Sequence, residues 1–420
     1  MCFPAACSAA AGRSLTDLSD QRPIQTFISQ TFISRKRAPG HSSRWGTIVE
    51  GMHILHVVGA RPNFMKAAPV RRVLERWPGV RQTVVHTGQH YDKNLSDVFF
   101  SQLNMPEPDV NLEVGSGSHA GQTAEVMRRF EPVVLERKPD VVLVYGDVNS
   151  TMAAALVCSK LLVRVGHVEA GLRSFDRTMP EEINRMVTDR LADMLFTPSE
   201  DGDINLEREG VPAEKIYRVG NVMIDSLVQL LPAAMQCSKN GLPDRYALVT
   251  LHRPSNVDDS ASLQRILQAL LEVNRQLEVI FPVHPRTRQR IEQFGINLEK
   301  LHLLEPLPYV EFLSLQRRAA VVITDSGGIQ EETTYLGVPC LTLRSNTERP
   351  VTVTMGTNIL IGHDLGRLSS ELSKILEGKG KKGTLPPLWD GHAAERIADV
   401  LRGAQMDHPP RQVDFAASEG

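Results

Sequence analysis

From Met52 onward, short apolar, β-branched runs alternate with segments of helical period. The first series is HILHVVG (53–59), TVVHTG (83–88), DVVLVYGD (140–147), RVGHVEAG (164–171), MLFTPS (194–199) and KIYRVGN (215–221). Helical candidates such as NFMKAAPVRRVLERW lie between them. QCSKNGLPDRY (236–246) breaks the pattern. A second series follows: YALVTLH (246–252), LEVIFPVHP (277–285), LHLLEPL (301–307), AVVITDSGG (320–328), VPCLTLR (338–344) and NILIG (358–362). Runs that are apolar throughout, rather than alternating, are expected where helices cover both faces of a parallel sheet. Two such series predict an α/β protein of two Rossmann-like, doubly wound domains facing a cleft, over residues 52–222 and 223–390.

Residues 1–51 differ. They have no sustained period, a local TFIS duplication, a basic RKR and no long apolar core of a secretory signal. They are expected to be a disordered tail, or an over-long start with Met52 as the true one.

Composition narrows the function classes. With 47 Lys and Arg against 49 Asp and Glu, the net charge of -2 gives no electrostatic case for nucleic acid or an acidic membrane surface. No apolar run approaches the roughly 18 residues needed to span a bilayer. The five cysteines lack CxxC spacing and an even framework, which fits a reducing compartment, the cytoplasm, and argues against structural zinc. No metal is expected, because His167, His252 and His284 lie on separate strands without ligand spacing.

Ligands of open α/β sheets bind beyond the carboxyl ends of the strands. The polar residues gather there: Arg61 and Lys66 after the first strand, Asp147 after 140–146, and Glu169 after 164–168. The second half adds His252-Arg253, His284-Pro285-Arg286 and DSGGIQEE (325–332). Ser326-Gly327-Gly328 ends a strand and opens a helix, so unpaired N–H groups and the helix dipole point at one spot where glycines admit a phosphate. Glu332, one turn on, is placed to reach a ribose diol. GxxxxGK[ST] is absent, and the first turn reads GARPNF rather than GxGxxG, so no fingerprint supports ATP or NAD and no cofactor is expected. GSGSHAG (115–121) follows no clear strand and reads as a loop.

GHVEAGLRSFDRTMPEEINR (166–185) holds the sharpest question, because carboxylates are costly to bury. Thr178-Met-Pro-Glu181 has the spacing of a capping box, so Glu181 has a structural explanation. Ile183, Met186, Val187, Leu191, Met194 and Leu195 read as the apolar stripe of a helix. Glu169, between a valine and Ala170-Gly171, has no such explanation. Asp147, Glu169 and Glu181 converging on one cleft could divide acid and base duties.

In this order GARPNFMKAAP, TGQH, DVVLVYGDVNST, GHVEAGLRS, MPEEINR, Gly220-Asn221-Val222-Met223-Ile224-Asp225, LVTLHRPSN, PVHP, TDSGGIQEE and TERP resemble the non-hydrolysing UDP-N-acetylglucosamine 2-epimerases, from Met52 to about residue 400. The resemblance implies the glycosyltransferase-B fold, with a C-terminal helix (391–404) completing the first domain and 405–420 as a tail. It implies a UDP-sugar substrate, a homodimer, and interconversion of UDP-N-acetylglucosamine and UDP-N-acetylmannosamine for surface polysaccharide. The implied route eliminates UDP to a 2-acetamidoglucal and adds it back. Asp147, Glu169 and Glu181 match the acid/base group, and His252 the histidine at the leaving phosphate. Arg61 and Lys66 match the diphosphate pair, Ser326, Gly327 and Gly328 the phosphate cradle, and Glu332 the ribose contact. Arg349 matches a nucleotide-side contact and Tyr309 an aromatic position beside uracil.

Two features depart from the bacterial pattern. His252-Arg253-Pro254-Ser255-Asn256 replaces HRRE, and the TGQH segment, which keeps Gln89, continues as Tyr91-Asp92 where many members place a second polar residue linked to a regulatory nucleotide-sugar site. Such versions also resemble relatives acting on diacetamido-glucuronate nucleotides. A UDP-sugar glycosyltransferase shares the fold, and the acid set separates it from an epimerase.

Overall fold

The computed structural model describes residues 51–88, 103, 105–237, 241–296, 298 and 301–407, with the side chains of Arg61 and residues 404–407 excepted. The expectations for residues 1–50, for Gln89 and Asp92, and for 408–420 fall outside the described residues.

Two fully parallel sheets account for the strand series. The first has seven strands, β1 (His53–Val58), β2 (Arg81–His86), β3 (Val110–Asn111), β4 (Val141–Tyr145), β5 (Arg164–Val168), β6 (Met194–Thr197) and β7 (Ile216–Arg218), in the order β3-β2-β1-β4-β5-β6-β7. The second has six, β8 (Tyr246–Thr250), β9 (Glu278–Pro282), β10 (His302–Leu304), β11 (Val321–Thr324), β12 (Cys340–Thr342) and β13 (Asn358–Leu360), ordered β10-β9-β8-β11-β12-β13. Both run outward from a central strand, then return to its other side. The turning point falls between β1 and β4 in one sheet and between β8 and β11 in the other. There, helices leave adjacent strands in opposite directions and open a crevice. β3, only two residues long, is too short to leave a pattern in the sequence.

One apolar cluster joins the two halves. It runs from Ile54 and Leu143 of the first sheet through Leu227 and Leu230 to Leu313, Ile397 and Leu401. The last helix, Ala393–Asp407, packs against Arg61–Glu75 beneath the first sheet. Its start is capped from the helix Val222–Gln236: Asp225 accepts hydrogen bonds from Ala393 N (3.1 Å) and Ala394 N (2.7 Å). Just before it, buried Trp389 donates through Nε1 to the Pro198 carbonyl at 2.9 Å. The helix runs three residues past the 404 boundary read from sequence. Among the described residues no helix is long and apolar enough to cross a membrane.

Three local expectations need correction. The GSGSHAG segment is not wholly loop: Ser118 Oγ accepts from Gly121 N at 3.2 Å and caps the helix His119–Arg137. Thr178 forms no capping box, because its hydroxyl is taken by Asp176 at 2.6 Å and the helix Pro180–Leu191 starts without a side-chain cap. That helix also reverses the apolar-stripe reading. Its buried face is polar (Glu182, Asn184, Arg185, Thr188, Asp189), while Ile183, Met186 and Val187 are half-exposed; Met194 and Leu195 belong to β6. A buried ionic network beside the crevice outweighs the usual preference of apolar side chains for the inside.

Candidate functional site

Each turning point is locked by short polar contacts. After β1, Asn63 accepts from Gly59 N (3.1 Å) and Ala60 N (2.9 Å) and donates to the Tyr145 carbonyl (2.7 Å) at the end of β4. This places Lys66, less than a turn further, in the crevice, where buried Lys66 and Glu169 form an ion pair. Gly146 lies across that path with φ +64°, and a Cβ there would stand 2.6 Å from Lys66 Nζ. No side chain fits.

Glu169 itself has φ +75°, a left-handed backbone that costs a non-glycine residue of order 1 kcal/mol. The strain is held by Glu169 N and Ala170 N, which both donate to the Phe196 carbonyl at 3.1 and 3.0 Å. Behind the turn, buried Asp189 accepts from Gly171 N (3.1 Å), His167 Nδ1 (2.6 Å) and Arg173 (2.7 Å). The strand-end glutamate is thus forced inward, against its local preference.

Asp147, at the end of β4, is gripped by Arg185 through Nη2 (2.8 Å) and Nε (3.0 Å). Burial alone would raise its carboxyl, but Arg185, Lys66 and Arg349 together hold it below the usual carboxylate value. Of the adjacent glutamates, Glu182 is the structural one. It pairs with Arg185 and accepts from Ser174 N (3.0 Å), Ser174 Oγ (3.0 Å) and Phe175 N (2.9 Å). Glu181, whose capping role is gone, is half-buried on the cleft wall.

The second sheet supplies the facing wall. His252 follows β8, with Nδ1 3.1 Å from the buried Asp325 carboxylate at the end of β11. Asp325 also accepts from Arg253 N (2.9 Å) and Asn256 Nδ2 (3.1 Å). Burial opposes its charge, yet His252 and these donors keep its carboxyl below the usual value. The His284 ring, after β9, has its centroid 5.9 Å from that of His252. Ser326, Gly327 and Gly328 open the helix Gly327–Leu336 into the cleft. The two glycines differ. A Cβ on Gly327 would strike Arg349 Nη1 at 2.5 Å, whereas one on Gly328 would meet nothing within 4 Å. Gly327 makes room for protein, and Gly328 leaves room for a ligand. Glu332 accepts from the Tyr309 hydroxyl at 2.9 Å, so Tyr309, itself buried, orients the acid expected at a ribose.

Arg349 closes the site from the segment after β12. It reaches across to Glu169 (3.1 Å) while contacting Glu331 (2.8 Å) and Glu348 (2.5 Å). Asp147, Glu169, Glu181, His252, Lys66, Tyr309, Ser326, Gly327, Gly328, Glu332 and Arg349 all line one cavity of about 420 Å³. Arg61 opens its helix at the mouth of the first turn. Sequence reasoning missed Arg185, Asp325, Glu331 and Glu348. Arg185 had a signal, lying four residues after Glu181 on one helical face. Asp325 ends a strand next to the glycine pair. The other two look like ordinary surface glutamates until the fold buries them.

Two Rossmann-like α/β halves with their turning points facing across a polar cleft define the glycosyltransferase-B class of architecture. The family model for UDP-N-acetylglucosamine 2-epimerase matches residues 72–402. A UDP-N-acetylglucosamine 2-epimerase homolog of Methanococcus maripaludis is 44% identical over 367 residues, covering 84% of this chain and 99% of the relative. The UDP-2,3-diacetamido-2,3-dideoxy-D-glucuronate 2-epimerase of Pseudomonas aeruginosa is 42% identical over 357 residues, covering 83% of this chain and 99% of the relative. The crystal structure of Methanocaldococcus jannaschii UDP-GlcNAc 2-epimerase in complex with UDP-GlcNAc and UDP superposes with a TM-score of 0.78 at 42% identity, covering 84% of this chain and all of that one. The chain belongs to the UDP-N-acetylglucosamine 2-epimerase family.

Proposed function

We propose that the protein is a non-hydrolysing UDP-N-acetylglucosamine 2-epimerase that needs no cofactor. The carrying observation is Glu169, strained to φ +75° and set between Lys66 and Arg349 beside Asp147 and Glu181. Inversion at C2 of a nucleotide sugar cannot use simple deprotonation, because C2 is not next to a carbonyl. Elimination avoids the difficulty. A carboxylate takes the C2 proton, the C2–H electron pair forms the C1–C2 double bond, and the C1–O bond breaks to release UDP. Reprotonation on the opposite face of C2 and re-addition of UDP at C1 complete the inversion.

This chemistry calls for carboxylates flanking C2 and for donors at the departing diphosphate. Asp147, Glu169 and Glu181 form the acid/base group. His252, its Nδ1 engaged by Asp325, offers Nε2 to the leaving phosphate. The N–H groups of Ser326, Gly327 and Gly328, with Arg61 and Lys66, take the diphosphate; Glu332 takes the ribose, Tyr309 orients it, and Arg349 anchors the nucleotide side. The reading includes a homodimer supplying N-acetylmannosamine-type sugar for polysaccharide.

A second reading, epimerisation of a diacetamido-glucuronate nucleotide, is favoured by the 42% identity to the Pseudomonas aeruginosa protein. Proton NMR with UDP-N-acetylglucosamine in D2O decides between them. A manno-configured product carrying deuterium at C2, lost in Glu169→Gln, supports the first. Exchange only with the diacetamido-uronate nucleotide supports the second, and no exchange with either sinks both.

A further inference from the structure

Arg349 is shared by three carboxylates whose supply of positive charge is unequal. Glu169 also pairs with Lys66, and Glu348 also pairs with Arg344 (2.7 Å) and Arg253 (3.5 Å). Among the described residues Glu331 pairs with Arg349 alone, at 2.8 Å. Even that contact is poorly aligned, and neither Glu331 oxygen accepts a directed hydrogen bond. The side chains of Arg349, Glu169, Glu331 and Glu348 are at most 9% exposed.

Of several acids sharing one buried cation, the one without a second cation gives up its charge at least cost. The groups facing Glu331 are Arg349 from the segment after β12, Glu169 from the first sheet, and Lys66 from the helix Arg61–Glu75. The neighbouring Glu332 is engaged by Tyr309. Burial pushes the Glu331 carboxyl up to about 7, against the pull of Arg349 and with the help of Glu169. Glu348 is the opposite case: burial is overcome by Arg349 and Arg344, which hold it well below the carboxylate range.

We propose that Glu331 is a positioning residue for the reaction, acting through Arg349. Uncharged, Glu331 leaves the guanidinium to Glu169 and to the anionic groups of a bound nucleotide sugar. Charged, it draws Arg349 back toward its own helix. One arginine thereby serves both walls of the cleft only while Glu331 carries its proton.

This inference rests on the epimerase reading, and its test separates the two. C2 exchange in D2O is first recorded on the wild type. The kcat and KM are then measured from about pH 5.5 to about pH 9 for wild type, Glu331→Gln and Glu331→Asp. Wild-type kcat is expected to fall about tenfold per pH unit above about 7, with KM for the UDP-sugar rising over the same range. Glu331→Gln, of the same shape and uncharged, is expected to hold its kcat within about twofold across that range, while Glu331→Asp keeps a falling limb. An unchanged limb in Glu331→Gln overturns the proposal, as does a uniform loss at every pH, which marks a merely structural role. Absence of wild-type exchange would sink the reaction reading instead. The carboxyl 13C titration of Glu331, compared between wild type and Arg349→Lys, then still decides the coupling: an unmoved midpoint overturns it.

Discussion

Glu169 and Arg349, 180 positions apart in the chain, meet at 3.1 Å where the two sheets face each other. Glu169 ends a strand of the first sheet, and Arg349 follows a strand of the second. The carboxylate to which the proposed mechanism gives an acid/base role is therefore held in part by the opposite wall of the cleft.

Arg349→Lys tests that link. A lysine offers one compact charge in place of three directed N–H edges, so it cannot hold Glu169, Glu331 and Glu348 together. The expected outcome is at least a tenfold fall in kcat and about 2–4 kcal/mol lower stability, because buried carboxylates lose their partner. Steady-state kinetics and urea unfolding measure both.

The paired glycines should separate stability from binding. Gly327→Ala puts a Cβ 2.5 Å from Arg349 Nη1 and should lower both melting temperature and kcat. Gly328→Ala meets no protein atom within 4 Å and gains helix propensity. Its melting temperature should hold or rise, while KM for the UDP-sugar rises as the methyl occupies ligand space. Equal behaviour of the two variants would contradict the division of labour.

Asp325→Asn removes the carboxylate that collects His252 Nδ1 at 3.1 Å and Arg253 N at 2.9 Å. An amide cannot accept all four donors there (His252 Nδ1, His252 N, Arg253 N and Asn256 Nδ2), and its NH2 would face one of them. A loss of about 2 kcal/mol in stability and about a hundredfold in kcat is expected. Replacement of His252 in the same background should then cost little more, since the two act as a unit.

Acid should weaken the first sheet through His56. This buried imidazole contacts Tyr145 Oη at 2.6 Å and Gln82 Oε1 at 2.9 Å. Burial pushes its pKa down to about 4, opposed by the Gln82 hydrogen bond. The unfolded chain binds a proton near pH 6.5 and the folded one only near 4, so this group's stabilisation is complete above 6.5 and lost as pH falls toward 4. The loss is about 3 kcal/mol for a shift of this size. His86, also lowered to about 4 by burial, acts in the same direction. His56→Gln should flatten part of the slope in urea unfolding between about pH 6.5 and about pH 4; an unchanged slope would rule His56 out as a source.

What the sequence determined by itself is what short stretches can encode. Runs such as VVLVY and VVIT are apolar on both faces, as a helix-covered parallel sheet requires, and polar residues clustered at their carboxyl ends mark one rim. Tertiary structure decided which of those residues meet. The motif MPEEINR looks symmetrical in its two acids, yet packing assigns Glu182 to Ser174 and Phe175 and leaves Glu181 on the cleft. Glu331 and Glu332 part in the same way, one to Arg349 and one to Tyr309. Hydrophobic periodicity reports burial averaged over a segment, and for Pro180–Leu191 even that average misleads because the polar face is the buried one. Charges interact over a few ångströms regardless of separation along the chain, so only the folded arrangement could pair Arg349 with Glu169 or select Glu331 as the acid left with a single cation.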